Sequence, residues 1–130
     1  MLTVTKEVIT LPGTRSRPFS SAVRAGDLIF TSGHAGMRDS EGKELKTIEE
    51  QTRQTLKSLK ATLEASGATL GDVVKVTCFL GAQEHFRKMN EVYLSYFKGE
   101  LPARSTCITG LAVPGMLLEM ECVAYRPKGE

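Results

Sequence analysis

The stretch MLLEMECVAY, residues 116–125, alternates so regularly that it reads as a β-strand whose two faces meet different surroundings. Leu118, Met120, Cys122 and Ala124 share one side and are uniformly apolar. Glu119 and Glu121 share the other with Leu117, Val123 and Tyr125. Slipping the register by one residue would drive both carboxylates into the apolar layer, so the pairing is strongly specified. A chain carrying this strand must cover the first face. It leaves the second, apolar yet charged, for solvent or another chain.

The cover is available as two amphipathic helices. Thr47 and Glu50 form a T-x-x-E capping box, and Ile48, Thr52, Thr55, Leu56, Leu59 and Leu63 recur at helical spacing behind it. This predicts a helix ending at Ser66, stopped by Gly67, with Lys, Arg, Gln and Glu on its opposite face. A second helix is predicted from Gln83 to Phe97, presenting Phe86, Met89, Val92, Tyr93 and Tyr96, with Gly99 just beyond it. Strand-like runs fill the remainder: TVTKEVIT, SSAVRA and DLIFTSG before the first helix, and DVVKVTCFL between the helices, with Val74, Val76, Cys78 and Leu80 on one parity. ARSTCITGL, rich in β-branched residues and reading as buried, precedes the last strand. The order ββ(β)αβαββ predicts an α+β fold, one sheet with two helices packed on one face. At 130 residues the chain is the size of one domain, read as spanning 1–130.

Charge and composition narrow the function. Seventeen basic and 15 acidic residues are interspersed, and no basic strip with aromatic interleaving points to nucleic acid. No run approaches the roughly 18 apolar residues of a membrane span, and the start lacks a signal-peptide layout, which makes the cytoplasm the expected address. Cys78, Cys107 and Cys122 lack CxxC spacing and sit in apolar runs, as small buried core residues would. His34 and His85 are isolated, without metal-ligand spacing, so no metal is expected.

One residue resists a bland placement. Arg104, in LPARSTC, opens a strand-like segment, and a guanidinium cannot be buried without an anion. If consecutive strands pair antiparallel, Arg104 approaches the middle of MLLEMECVAY, in its own chain or across an interface. The residues alone leave two outcomes open: a structural ion pair, or an anion-binding site with a general acid or base beside it.

Five segments in order, RPFSSAVRAGDLIFTSG (17–33), IEEQTRQTLKSLKATLEASGATLGDVVKVTCFL (48–80), MNEVYLSYF (89–97), LPARST (101–106) and PGMLLEMECVAY (114–125), resemble the RidA/YjgF family of reactive-intermediate deaminases. The resemblance implies a chorismate-mutase-like fold with one mixed sheet, assembled as a homotrimer with clefts between subunits. It implies that Arg104 grips a substrate carboxylate, and that Glu119 activates water or shuttles the proton between enamine and imine. Ser32 and Gly33 match the segment lining the cleft, Asn90 the asparagine of the second helix, and Thr106 the position whose backbone contributes to the cleft. The implied substrates are enamines and imines of the 2-aminoacrylate and 2-iminopropionate type, hydrolysed to a 2-oxo acid and ammonia without metal or organic cofactor.

Two positions depart from the family pattern. Phe19 stands where PYS is common, removing a hydroxyl from the cleft. His34 stands where glutamine is common, and reads either as a ligand contact or as a surface-loop histidine. Other readings keep the fold and change the role: a trimer that binds small carboxylates without turnover, or a ribonuclease or translation inhibitor, for which no basic strip speaks.

Overall fold

The computed structural model describes residues 5–129. Six strands, β1 (Lys6–Ile9), β2 (Ala22–Ala25), β3 (Leu28–Thr31), β4 (Val73–Leu80), β5 (Ala103–Ile108) and β6 (Leu118–Tyr125), form one sheet in the order β1-β2-β3-β6-β4-β5. Two helices, α1 (Ile48–Ala65) and α2 (Phe86–Tyr96), supply the apolar cover. The two-faced strand is central. On its inner face Leu118, Met120 and Ala124 are fully buried and Cys122 is nearly so.

Helix α1 starts where its sequence dictates. Thr47 is the N-cap, its hydroxyl accepting from the Glu50 amide while the Glu50 carboxylate accepts from the Thr47 amide. Gly67, at φ 89°, takes the left-handed turn that ends the helix. Leu56, Leu59 and Leu63 are fully buried against Ile29, Met120 and their neighbours, each contributing about 1.5–3 kcal/mol of transfer free energy. Gln51, expected on the polar face, is instead buried. Its Nε2 donates to the carbonyls of Leu45 and Gly115, and its Oε1 accepts from the Leu117 amide. The reason is local: the two loops passing over α1 carry backbone groups that need partners, and one amide satisfies three of them.

The sheet corrects the expected pairing of the last two strands. β5 pairs parallel with β4, Arg104 opposite Val76, while β6 pairs antiparallel with β4 on its other side. Helix α2 carries the chain back to the start of β4, and a strand entered after such a crossover runs parallel to the strand before it. β5 is therefore an edge strand and largely exposed, not buried. Cys107 is accordingly exposed, against the expectation for all three cysteines, whereas Cys78 and Cys122 are buried. Val74 also leaves its expected parity: the register shifts between Val73 and Lys75, so Val73 enters the core and Val74 is exposed. Leu117, expected on the outer face, packs partly buried against the core. The second helix begins with a single 3₁₀ turn, Gln83–His85, and its Phe86 stays 43% exposed at the rim.

Among the described residues no helix covers the outer face of the sheet. Leu28, Phe30, Val123 and Tyr125 pair across β3 and β6 on that face, and Phe30 and Tyr125 are about half exposed. Among the described residues no helix is long and apolar enough to cross a membrane.

Candidate functional site

Glu119 lies on the outer face of β6, opposite Phe79 of β4. Its carboxyl group rests on Gly33, so closely that a Cβ there would stand 2.6 Å from Cδ and 2.7 Å from Oε2. Any larger residue at 33 would push the end of the Glu119 side chain out of this position. Burial, and then the neighbouring carboxylate of Glu121, push the Glu119 carboxyl above the ordinary glutamate range. Both carboxylates line a cavity of about 490 Å³ with Phe19, Ser32, Gly33 and Phe79. The Ser32 hydroxyl donates to the Ser20 carbonyl, and its amide to the Ser21 carbonyl, which ties the β3 turn to the segment carrying Phe19. Phe19 presents a half-exposed ring to this cavity.

Arg104 lies on the other side of the sheet. Its partner in the ladder is Val76, whose side chain is fully buried, so Arg104 faces the helix layer. There Nη2 donates to Asn90 Oδ1 at 2.6 Å, and the guanidinium carbon stands 4.7 Å from the centre of the Tyr93 ring and 5.8 Å from that of Phe86. Asn90 and Tyr93 are three residues apart on α2 and so share a face, one gripping the fork and the other supporting its plane. Among the described residues no carboxylate pairs with Arg104 within 4 Å. The guanidinium borders a groove of about 280 Å³ with Asn90, Tyr93, Leu94, Leu101 and Pro102. Thr106, two residues on and of the same parity, lies opposite Cys78 of β4 in the ladder.

The sequence-derived residues thus fall into two groups. Phe19, Ser32, Gly33 and Glu119 meet at the outer-face cavity; Arg104, Asn90 and Thr106 belong to the helix side of the edge strand. Within one chain β4 lies between β5 and β6, and Arg104 and Glu119 point to opposite faces. Sequence reasoning missed the Tyr93 support, although its i, i+3 spacing from Asn90 was a usable signal. It also missed Phe79 and the loop residues Thr109 and Leu111, which no local pattern brings to the cavity. The His34 ring turns inward to Thr62 of α1 rather than out from a surface loop.

Comparisons with known proteins agree with this architecture. The family described as Endoribonuclease L-PSP matches residues 13–126. A RutC family protein of Pyrococcus horikoshii is 41% identical over 110 residues, covering 84% of this chain and 87% of that protein. The 2-iminobutanoate/2-iminopropanoate deaminase of Mus musculus is 35% identical over 110 residues, covering 84% and 82% respectively. The crystal structure of the YjgF gene product from E. coli superposes with a TM-score of 0.84 at 29% identity, over 92% of this chain and 98% of that one. With a match across most of its length and the same two helices on a mixed six-stranded sheet, the chain belongs to the Endoribonuclease L-PSP family, that of the RidA/YjgF proteins.

Proposed function

We propose that the protein is a hydrolytic deaminase of 2-imino acids and their enamine tautomers, acting as a homotrimer with a site at each subunit interface. The observation that carries the reading is the separation of two complementary half-sites: a cation with no carboxylate partner among the described residues on one side of the sheet, and a partly buried carboxyl group in a cavity on the other. Facing each other across an interface, they make one pocket with an anion grip at one end and a proton-transfer group at the other. The similarity to an imine deaminase supports 2-imino acids as the substrate class.

In this reading the Arg104 fork, oriented by Asn90 and Tyr93, holds the substrate carboxylate through paired charge-assisted hydrogen bonds. Glu119, in its acid form, delivers a proton to the enamine carbon, giving the iminium ion. As carboxylate it then takes a proton from water as the oxygen bonds to the iminium carbon, returns that proton to the nitrogen, and accepts the hydroxyl proton as the C–N bond breaks, so that ammonia leaves, the carbonyl forms and Glu119 ends protonated as it began. One water is consumed, and the products are a 2-oxo acid and ammonia. Ser32, Gly33 and Thr106 line the pocket, and no metal or organic cofactor enters the scheme. Imines hydrolyse unaided in water, so orientation and one proton shuttle are a sufficient toolkit.

The test generates the imine from an amino acid in the cuvette and follows ammonia and 2-oxo acid together. Release above the uncatalysed rate, abolished by Arg104→Ala, is expected. An unaccelerated rate with a carboxylate still binding at Arg104 would leave the second reading, a carboxylate-binding trimer. That reading is favoured by one feature: Asn90 and Tyr93 orient Arg104 without any help from Glu119.

A further inference from the structure

His34 follows Gly33, and its backbone bridges to Met120, the residue after Glu119: the His34 amide donates to the Met120 carbonyl at 2.7 Å and the Met120 amide to the His34 carbonyl at 2.9 Å. Its ring is held at both ends. Nδ1 lies 2.8 Å from the Ser32 carbonyl oxygen, which can only accept, so Nδ1 carries the proton. Nε2 lies 2.8 Å from Thr62 Oγ1, and in the neutral ring it accepts from that hydroxyl. Burial holds the ring below its usual pKa; the Ser32 carbonyl opposes that shift and the positive charge of Arg17 adds to it. The neutral tautomer therefore links the last turn of α1 to the peptide that joins Ser32 to Gly33.

We infer that His34 is a positioning residue for the outer-face half-site, its imidazole fixing the Ser32–Gly33 peptide on which the Glu119 carboxyl group rests. The chain of contacts is continuous: Thr62 hydroxyl to imidazole, imidazole to Ser32 carbonyl, Gly33 against the Glu119 carboxyl. The Ser32 hydroxyl extends it to the Ser20 carbonyl, next to Phe19. Removing the ring frees the Ser32 carbonyl to rotate, and with it the Gly33 surface that limits where Glu119 points. The inference rests on the proposed role of Glu119 but leaves Arg104 untouched, since that residue lies on the other side of the sheet.

Three variants test it: His34→Ala, which removes both bonds; His34→Gln, whose amide offers one donor for Ser32 and one acceptor for Thr62; and Thr62→Val, which keeps the ring and cuts only its far end. For imine turnover, His34→Ala is expected to lower kcat by about 10- to 100-fold, the scale of a misplaced reacting group, with KM nearly unchanged because the carboxylate grip is intact. His34→Gln is expected to recover most of the loss, and Thr62→Val to fall between. NMR supplies a readout that does not need turnover. The ring of the unmodified protein should show the Nδ1–H tautomer, and the Gly33 amide and Glu119 carboxyl resonances should move in His34→Ala and return in His34→Gln. If the unmodified protein turns over no imine, the proposed function fails and these resonances still decide the inference. Unmoved Gly33 and Glu119 signals in His34→Ala, or an Nε2–H tautomer, would overturn it; should His34→Ala not fold, unmoved signals in Thr62→Val with an Nε2–H ring do the same.

Discussion

Arg104 and Glu119 pose different chemical demands, and their variants separate accordingly. Lysine at 104 keeps the charge but loses both the two-toothed grip and the flat stacking on Tyr93. Arg104→Lys is expected to raise KM about 10- to 100-fold, the worth of one or two charge-assisted hydrogen bonds, with fold and assembly intact. Steady-state kinetics alongside light scattering checks this, and unchanged turnover of a carboxylate-bearing imine refutes the grip. Glu119→Gln should leave carboxylate binding in place and lower kcat by about 10²-fold or more. The acid limb of the pH profile belongs to the same group. Because burial and then Glu121 raise the Glu119 pKa, the limb should stand above that of an ordinary glutamate, and Glu121→Gln, by removing the neighbouring negative charge, should shift it to lower pH. A limb that stays put would mean that Glu121 does not act on Glu119. Phe19 lines the same cavity with an apolar ring. Phe19→Tyr restores one hydrogen-bonding hydroxyl, worth a factor of about 2 to 10, and should raise kcat/KM for the small alanine-type imine relative to leucine- or methionine-derived ones. An unmoved ratio would make Phe19 a packing residue only.

At the scale of elements, what could be read in advance followed one rule: features that depend on local spacing were legible, and features that depend on a distant partner were not. The capping box of α1, its leucine face and the two-faced β6 are local periodicities, and the fold reproduces them. The neighbour of β5 is a matter of topology. An antiparallel partner in β6 looked natural because the two strands are consecutive, yet the intervening α2 commits β5 to β4. Gln51 shows the same limit at one position: glutamine on a helix reads as solvated, and nothing in its neighbourhood announces three backbone partners from residues 45, 115 and 117. Its burial gives a sharp expectation. Gln51→Leu strips three backbone groups of their partner, and at about 1–3 kcal/mol for each buried unsatisfied group the protein should lose at least about 2 kcal/mol in urea unfolding. A loss under about 0.5 kcal/mol would mean that the loops rearrange or take up water at no cost.

At the scale of the whole molecule, the sheet itself separates the two halves of the candidate site. The sequence disclosed both halves, through LPARST and LLEMEC, but not that they face opposite ways, because face depends on which strand lies between them. If Arg104 and Glu119 serve one site, as proposed, that separation makes assembly a requirement for chemistry. The uncovered outer face, with Leu28, Phe30, Val123 and Tyr125, is the surface on which a second copy would sit, and a homotrimer at micromolar concentration is the expected state by light scattering. Assembly and shared sites can be tested together by mixing two inactive variants. A trimer site that takes Arg104 from one subunit and Glu119 from its neighbour is intact when the first subunit carries only Glu119→Gln and the second only Arg104→Ala. In trimers refolded from an equal mixture, each interface meets that condition with a chance of one half for either subunit, so activity should return to about a quarter of the unmodified level. Separately refolded variants, mixed afterwards without exchange, should stay as inactive as either parent. If co-refolding restores nothing while mixed trimers are demonstrably present, Arg104 and Glu119 do not serve one site across an interface, and the proposed pocket is wrong.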